Sequence, residues 1–329
     1  MSYSIIAREF RNQMVENVHH GAVCIIDQNQ QIVYQKGDIY QPTFYRSAMK
    51  PLQAIPVFRS GLIEEYGLTG EEQALFTASQ RGEVYHEKAI LKLAEKVNIA
   101  EQELICHASY PLNEASKIEY IKAQKEKRAF LHNCSGKHIG FLAYVKKKQL
   151  ANNYEDLHHP LQQEILETVA TLSQTPVQDI ITGVDGCGVP VFAVPLFNMA
   201  ISYLKFADPT LIEDKETEKA VRKIAIVMNE NPHIVASHQF ICTALLQDKN
   251  IVAKGGAQGV YCLALKKEKI SIALKVHSGT EALWPLIVAE LLQKIQYSNT
   301  ETIERLYALK SSSITNDSGK EVGHIELDL

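Results

Sequence analysis

Two short β-rich pairs, one near each end of the chain, constrain its folding most. GAVCIID (21–27) and QIVYQKG (31–37) flank the polar QNQ, the pattern of an antiparallel hairpin. Near the other end GVYCLALKKEKISIALKV (259–276) repeats that design with KKEK at the turn. Helical periodicity lies between the hairpins, over 47–60, 83–98, 115–128, 138–149, 155–173 and 216–229, and EALWPLIVAELLQKI (281–295) follows as a long apolar helix. This order predicts a mixed α/β (α+β) fold in which both chain ends build one antiparallel sheet and helices pack on it. No internal repeat, low-complexity tract or Gly/Ser/Pro linker divides the chain, so one domain over 1–329 is expected.

Composition excludes several function classes. With 329 residues, 46% hydrophobic and 22% charged, the chain can bury roughly three quarters of its unfolded surface. A net charge of -4 and a pI near 6.3, with both signs interspersed, give no electrostatic reason for a nucleic-acid partner. The run Lys146 to Lys148 reads as a solvated helix end. The N-terminal stretch contains acids and lacks a long apolar segment, so a cytoplasmic protein is expected. The most apolar window, Val189 to Leu204, is shorter than the ~20 residues of a spanning helix and contains Pro190, Pro195 and Asn198, so no membrane segment is expected. In that compartment the six cysteines are expected to be reduced.

The stretch YRSAMKPLQAIP (45–56) places Ser47 three residues before Lys50 at the expected start of a helix. Ser47 could simply cap that helix. Positions i and i+3 also share a helix face, so a partly desolvated Lys50 amine could take the Ser47 proton and turn the hydroxyl into an acyl acceptor. Serine β-lactamases and penicillin-binding proteins open their first core helix with this arrangement and supply a Lys-x-Gly from a later strand. Here AKGGAQGV carries Lys254 and Gly256 just before the second hairpin.

Two further segments carry chemistry. HNCSGKHIGFL (132–142) sets Cys134, Lys137 and His138 at a glycine-containing turn that leads into a helix, and GVDGCGVPVFAVPL (183–196) sets Asp185 and Cys187 in a glycine-bracketed loop. Taken singly, each cysteine fits a buried structural thiol. Together, with lysine and histidine nearby, they suit a soft divalent ion such as zinc.

In their order, RSAMKPLQAIP, TASQRGEVYH, HNCSGKHIGFL, HPLQQEI, GVDGCGVPVFAVPL, NPHIVAS and AKGGAQGV resemble the rhizobial-type L-asparaginases, also called thermolabile asparaginases or the asparaginase II domain. The resemblance runs from about residue 5 to beyond residue 280. It implies a serine β-lactamase-like fold, a homodimer, and hydrolysis of L-asparagine to L-aspartate and ammonia. By motif, its two Ser-Lys pairs fall on Ser47 with Lys50 and Ser79 with Lys254, and its zinc ligands on Cys134, Lys137 and Cys187. Arg46, His138 and Asp185 match substrate-holding positions, with Arg46 suited by charge to the α-carboxylate and Asp185 to the α-ammonium. The chain departs from the family pattern at Gln80 and Arg81, where His and a variable residue are usual, at Gln258, where Glu is usual, and in VHSGTEALWP. A glutaminase or penicillin-recognising hydrolase, and a non-catalytic zinc- or amino-acid-binding protein, are the rival expectations.

Overall fold

The computed structural model describes residues 4–329, which form two compact units. The first comprises the stretch up to Ala48 with Val194–Ala207 and Gln239–Leu329; the second comprises Met49–Ala193 and Asp208–His238.

The first unit is built on the expected antiparallel sheet. Both hairpins form, with Val23 opposite Lys36 in one and Val260 opposite Lys275 in the other. They join directly, because the strand Met14–Ile26 pairs with Ile270–Val276 from Gly21 opposite Val276 to Ile26 opposite Ser271. The sheet runs Ser313–Thr315, Glu321–Leu327, Ser4–Arg11, Met14–Ile26, Ile270–Val276, Val260–Leu265, Ile251–Gly255. Ile32–Lys36 takes up the edge of Met14–Ile26 beyond the reach of Ser4–Arg11. Ile251–Gly255 and Val260–Leu265 are buried at every position. Such strands need cover on both faces. The helix Leu196–Ala207 packs along Ile270–Val276, Met14–Ile26 and Val260–Leu265, and Trp284, opening the helix Trp284–Lys294, stacks edge-on against Tyr261.

The second unit is mostly helical. Val84–Lys96, Glu114–Lys122, Ser135–Lys147, Pro160–Ser173 and Lys215–Glu230 stand where helical periodicity was read. The expected helix over 47–60 is broken: a 3-10 turn, Arg46–Met49, precedes short helices at Lys50–Gln53 and Ile55–Arg59. Pro51 and Pro56 remove backbone N–H groups there, and each is tolerated only in a first turn. The cap reading of Ser47 is corrected as well, since the residue preceding the helix is Met49 and no side chain caps it. The helix expected over 115–128 stops at Lys122, with Gln124 in the left-handed region at φ 54°. Pro160–Ser173 begins at a proline, and His159 Nδ1 accepts the Leu161 N–H at 3.1 Å to cap it.

Several elements escaped the periodicity reading, among them the strand Ser4–Arg11, the helices Leu196–Ala207 and Thr300–Leu309, and the C-terminal strand pair. The apolar window at Val189–Leu204 divides into the strand Pro190–Pro195 and the start of Leu196–Ala207. Among the described residues no helix is long and apolar enough to cross a membrane.

Candidate active site

Each unit gathers part of the expected site. In the sheet unit, the turn carrying Arg46 and Ser47 is held from several sides. Ala48 N–H donates to Tyr45 O at 3.1 Å, the Tyr203 hydroxyl donates to Ala48 O at 2.7 Å, and the Tyr45 hydroxyl donates to Ser202 Oγ at 2.8 Å. Arg46 sits at φ 51°, left-handed backbone that a bulky residue adopts only when its surroundings impose it. Ser47 is buried at 8% exposure.

Lys254 lies in the strand Ile251–Gly255, 2% exposed, and donates to Gly255 O at 2.7 Å. The loop after it runs against the serine turn. A Cβ on Gly256 would stand 2.7 Å from Tyr45 O, so only glycine allows this approach. The structure thus brings the Lys-x-Gly loop to the segment that carries Ser47.

In the helical unit, Lys50 is fully buried. Its Nζ donates to Ala78 O at 2.6 Å, Asn133 O at 3.0 Å and Ser79 Oγ at 3.1 Å. Two carbonyls occupy two N–H directions, so the third faces a hydroxyl. The backbone N–H of Ser79 donates to Val235 O at 2.8 Å, which keeps the serine in place.

The cysteine segments converge in the same unit. Cys134 precedes the helix Ser135–Lys147, whose close seat against the Leu75 carbonyl requires Gly136, since a Cβ there would lie 2.4 Å from that oxygen. Asp185 opens the tight turn between Ile181–Val184 and Pro190–Pro195, closed by Gly188 N–H to Asp185 O at 2.9 Å with Gly188 at φ 93°. Cys187 rides in that turn. Lys137 Nζ donates to Cys187 Sγ at 3.2 Å.

Electrostatically the two cysteines are pushed in opposite directions. The hydrogen bond from Cys187, helped by Lys50 and Lys137, holds the Cys134 thiol well below its usual range. The same bond, with burial, pushes Cys187 up as the thiol partner. Burial alone would lower the Lys137 amine, but the charges of Cys187, Cys134 and Asp185 outweigh it and raise it. Cys106 nearby is pushed up to about 12 by burial. His138 is held far below its usual range by burial and by Lys137, so its ring is neutral. Its Nδ1 is 2.8 Å from the Tyr154 hydroxyl, and its Nε2 is buried without a hydrogen-bond partner.

Among the described residues no group of three or more His, Cys, Asp or Glu side chains could hold a metal. The expected ligands are of another kind, two sulfurs and the Lys137 amine. Two sulfurs beside a buried amine suit zinc, provided the ion displaces protons from its ligands. The donor chemistry fits. Tyr154 and His132, whose Nδ1 accepts Cys134 N–H at 3.1 Å, were missed in the sequence, because neither stands in a spacing that marks it as functional.

The family profile described as L-asparaginase II matches residues 7–327. The chain belongs to the L-asparaginase II family. As a member of the L-asparaginase II family it is an amidohydrolase, the reaction class expected of its paired serine and lysine residues. It is also similar to a β-lactamase from Mycobacterium bovis (TM-score 0.42, 11% identity, 83% of this chain and 94% of that one). A Bacillus glutaminase is similar at TM-score 0.40 and 12% identity, over 85% of this chain and 92% of that one. No curated protein matches the sequence.

Proposed function

We propose that this amidohydrolase converts L-asparagine and water to L-aspartate and ammonia through a seryl ester. Ser47 Oγ attacks the side-chain amide carbon while Lys50 takes its proton. The C–N bond then breaks, and the departing nitrogen receives that proton by way of Ser79. Water cleaves the ester, aspartate leaves and the Ser47 hydroxyl is restored. Lys254 assists Ser79 in moving protons, and backbone N–H groups that include that of Ser47 stabilise the oxyanion. The observation that carries this reading is the buried Lys50 amine, hydrogen-bonded to two carbonyls and to Ser79 Oγ. Such an amine is built to exchange a proton with a hydroxyl rather than to pair with a carboxylate.

Arg46 receives the α-carboxylate, Asp185 the α-ammonium, and His138 is the third residue assigned to holding the substrate. Zinc, held by Cys134, Lys137 and Cys187, would supply fixed positive charge that keeps the two cysteine loops in place. The protein works as a cytoplasmic homodimer, in a reducing compartment that suits its six free cysteines.

Ammonia release with L-asparagine and with L-glutamine, and ring opening of a β-lactam, each measured separately, test the reading. Turnover of asparagine far above the other two is expected. Preference for glutamine would make the chain a glutaminase, ring opening of the lactam would make it a penicillin-recognising hydrolase, and no turnover of any would leave a binding protein.

A further inference from the structure

The Lys50 amine takes its three acceptors from two segments of the helical unit that lie far apart in sequence, Ala78 O and Ser79 Oγ from one and Asn133 O from the other. Chain connectivity does not set the separation of these segments, and a proton passes only across a short, aligned contact. Gln80, the residue after Ser79, spans the two. Its side chain is buried at 1% exposure. Its Nε2 donates to His132 O at 2.9 Å and to Phe130 O at 3.2 Å, on the segment that continues into Asn133. A further contact on that side, to Ser135 Oγ at 3.5 Å, is long. On the near side its Oε1 accepts the Gly82 N–H at 2.6 Å.

This amide is used from both ends. Its nitrogen meets two backbone carbonyls and its oxygen meets a backbone N–H, so a flipped amide would set oxygen against oxygen and nitrogen against nitrogen. One orientation satisfies it. The far segment is tied to itself as well, since Ser135 N–H donates to His132 O at 3.0 Å and Cys134 N–H to His132 Nδ1 at 3.1 Å. Asn133 lies inside that knot, so its carbonyl goes where the Gln80 contacts put His132. The near side does not yield either. Gly82 turns at φ 73°, and a Cβ on it would stand 2.6 Å from Pro111 Cα.

We propose that Gln80 is the positioning residue of the Lys50–Ser79 pair. Its short bonds all go to backbone groups, and it acts by fixing the Asn133 carbonyl relative to the Ala78 carbonyl, hence the direction in which the Lys50 amine meets Ser79 Oγ. The part that this pair plays in amide hydrolysis rests on the function proposed above; the brace itself does not. The histidine usual in the family at this position fits the same role, because a neutral imidazole offers one N–H and one acceptor and can make part of the brace. Glutamine makes all three contacts.

Steady-state kinetics on the amide that the parent turns over, with a crystal structure of each variant, test the proposal. Gln80→Met keeps the length of the side chain and removes all three contacts. It should lower kcat roughly 10- to 100-fold, the scale of loss when reacting groups are misplaced by about 1 Å. KM should stay within about threefold, since no contact with substrate changes. The crystal structure should show Lys50 Nζ and Ser79 Oγ beyond hydrogen-bonding distance, where the parent has them 3.1 Å apart. Gln80→Asn keeps the amide but shortens its reach by one carbon; it should show the same split at smaller size and serves if Gln80→Met does not fold. Gln80→His should recover kcat to within about fivefold of the parent, because an imidazole restores part of the brace. An intact Lys50–Ser79 contact in Gln80→Met or Gln80→Asn, a kcat equal to that of an active parent, or a KM that rises more than kcat falls would overturn the proposal. A broken contact in a variant whose parent hydrolyses no amide would keep the brace and overturn the proposed function.

Discussion

Ser47, Ser79 and Lys50 carry the predictions at the scale of single residues. Ser47→Ala should fold normally, because no cap is lost, and should lower kcat on asparagine on the order of 10³-fold or more. Mass spectrometry of the quenched reaction should then find no acyl adduct. Were an adduct to persist on Ser79, the two serines would exchange roles. Lys50→Met keeps an apolar stem and removes the amine that reaches Ser79, so it should be as inactive; recovery of most activity on raising pH would mean that Lys50 acts through its charge alone. The metal ligands make a different prediction. If zinc only holds the loops, chelation should raise KM for asparagine far more than it lowers kcat, with metal content measured in parallel. Total loss of kcat in a folded, metal-free protein would contradict that role. The segments around Ser47, Lys50, Cys134, Lys137 and Cys187 stood out in the sequence because reactive residue types lie a few positions apart in them. The contact of Lys50 with Ser79 did not, because no spacing marks which distant segments meet.

Among the elements, the hairpin that follows Lys254 is the most exacting. Gly259 turns at φ 78°, and a Cβ there would stand 2.3 Å from Val276 O. Gly259→Ala should cost about 1–3 kcal/mol, read as a lower denaturation midpoint. An unchanged midpoint would show that the turn relaxes without cost. Both hairpins were legible because short polar turns between β-branched runs are local signals. The helix over 47–60 was misread because periodicity survives across Pro51 and Pro56 even where the backbone breaks into separate turns. The helix Leu196–Ala207 is apolar nearly all round, since it is buried along the sheet, so it lacked the polar face that reveals a surface helix.

At the scale of the whole molecule, Asp248 ties distant parts of the sheet unit together. Its Oδ2 accepts from Tyr297 at 2.6 Å, Asn299 at 2.8 Å and Thr302 at 2.9 Å, and its Oδ1 accepts Asn250 N–H at 2.9 Å. Burial opposes the charge, but these donors hold the carboxyl below its usual range. Its stabilisation is therefore present above the unfolded pKa of about 3.9 and is lost as pH falls through the lower folded value. Asp248→Asn should cost about 1–3 kcal/mol at neutral pH, and the gap to the parent should close below about pH 4 in denaturant titrations. A gap independent of pH would mean that shape rather than charge stabilises the network.

What the sequence determined by itself was the reaction class and the two hairpins of the sheet. Both are written in short-range patterns, since turns, glycine loops and serine-lysine spacings act over a few residues. Tertiary structure alone decided the neighbours: Lys50 beside Ser79, and the Lys254 loop beside the Ser47 turn. Those contacts join residues tens to hundreds of positions apart, and the packing of the sheet and the helices, which no local pattern encodes, sets their distances.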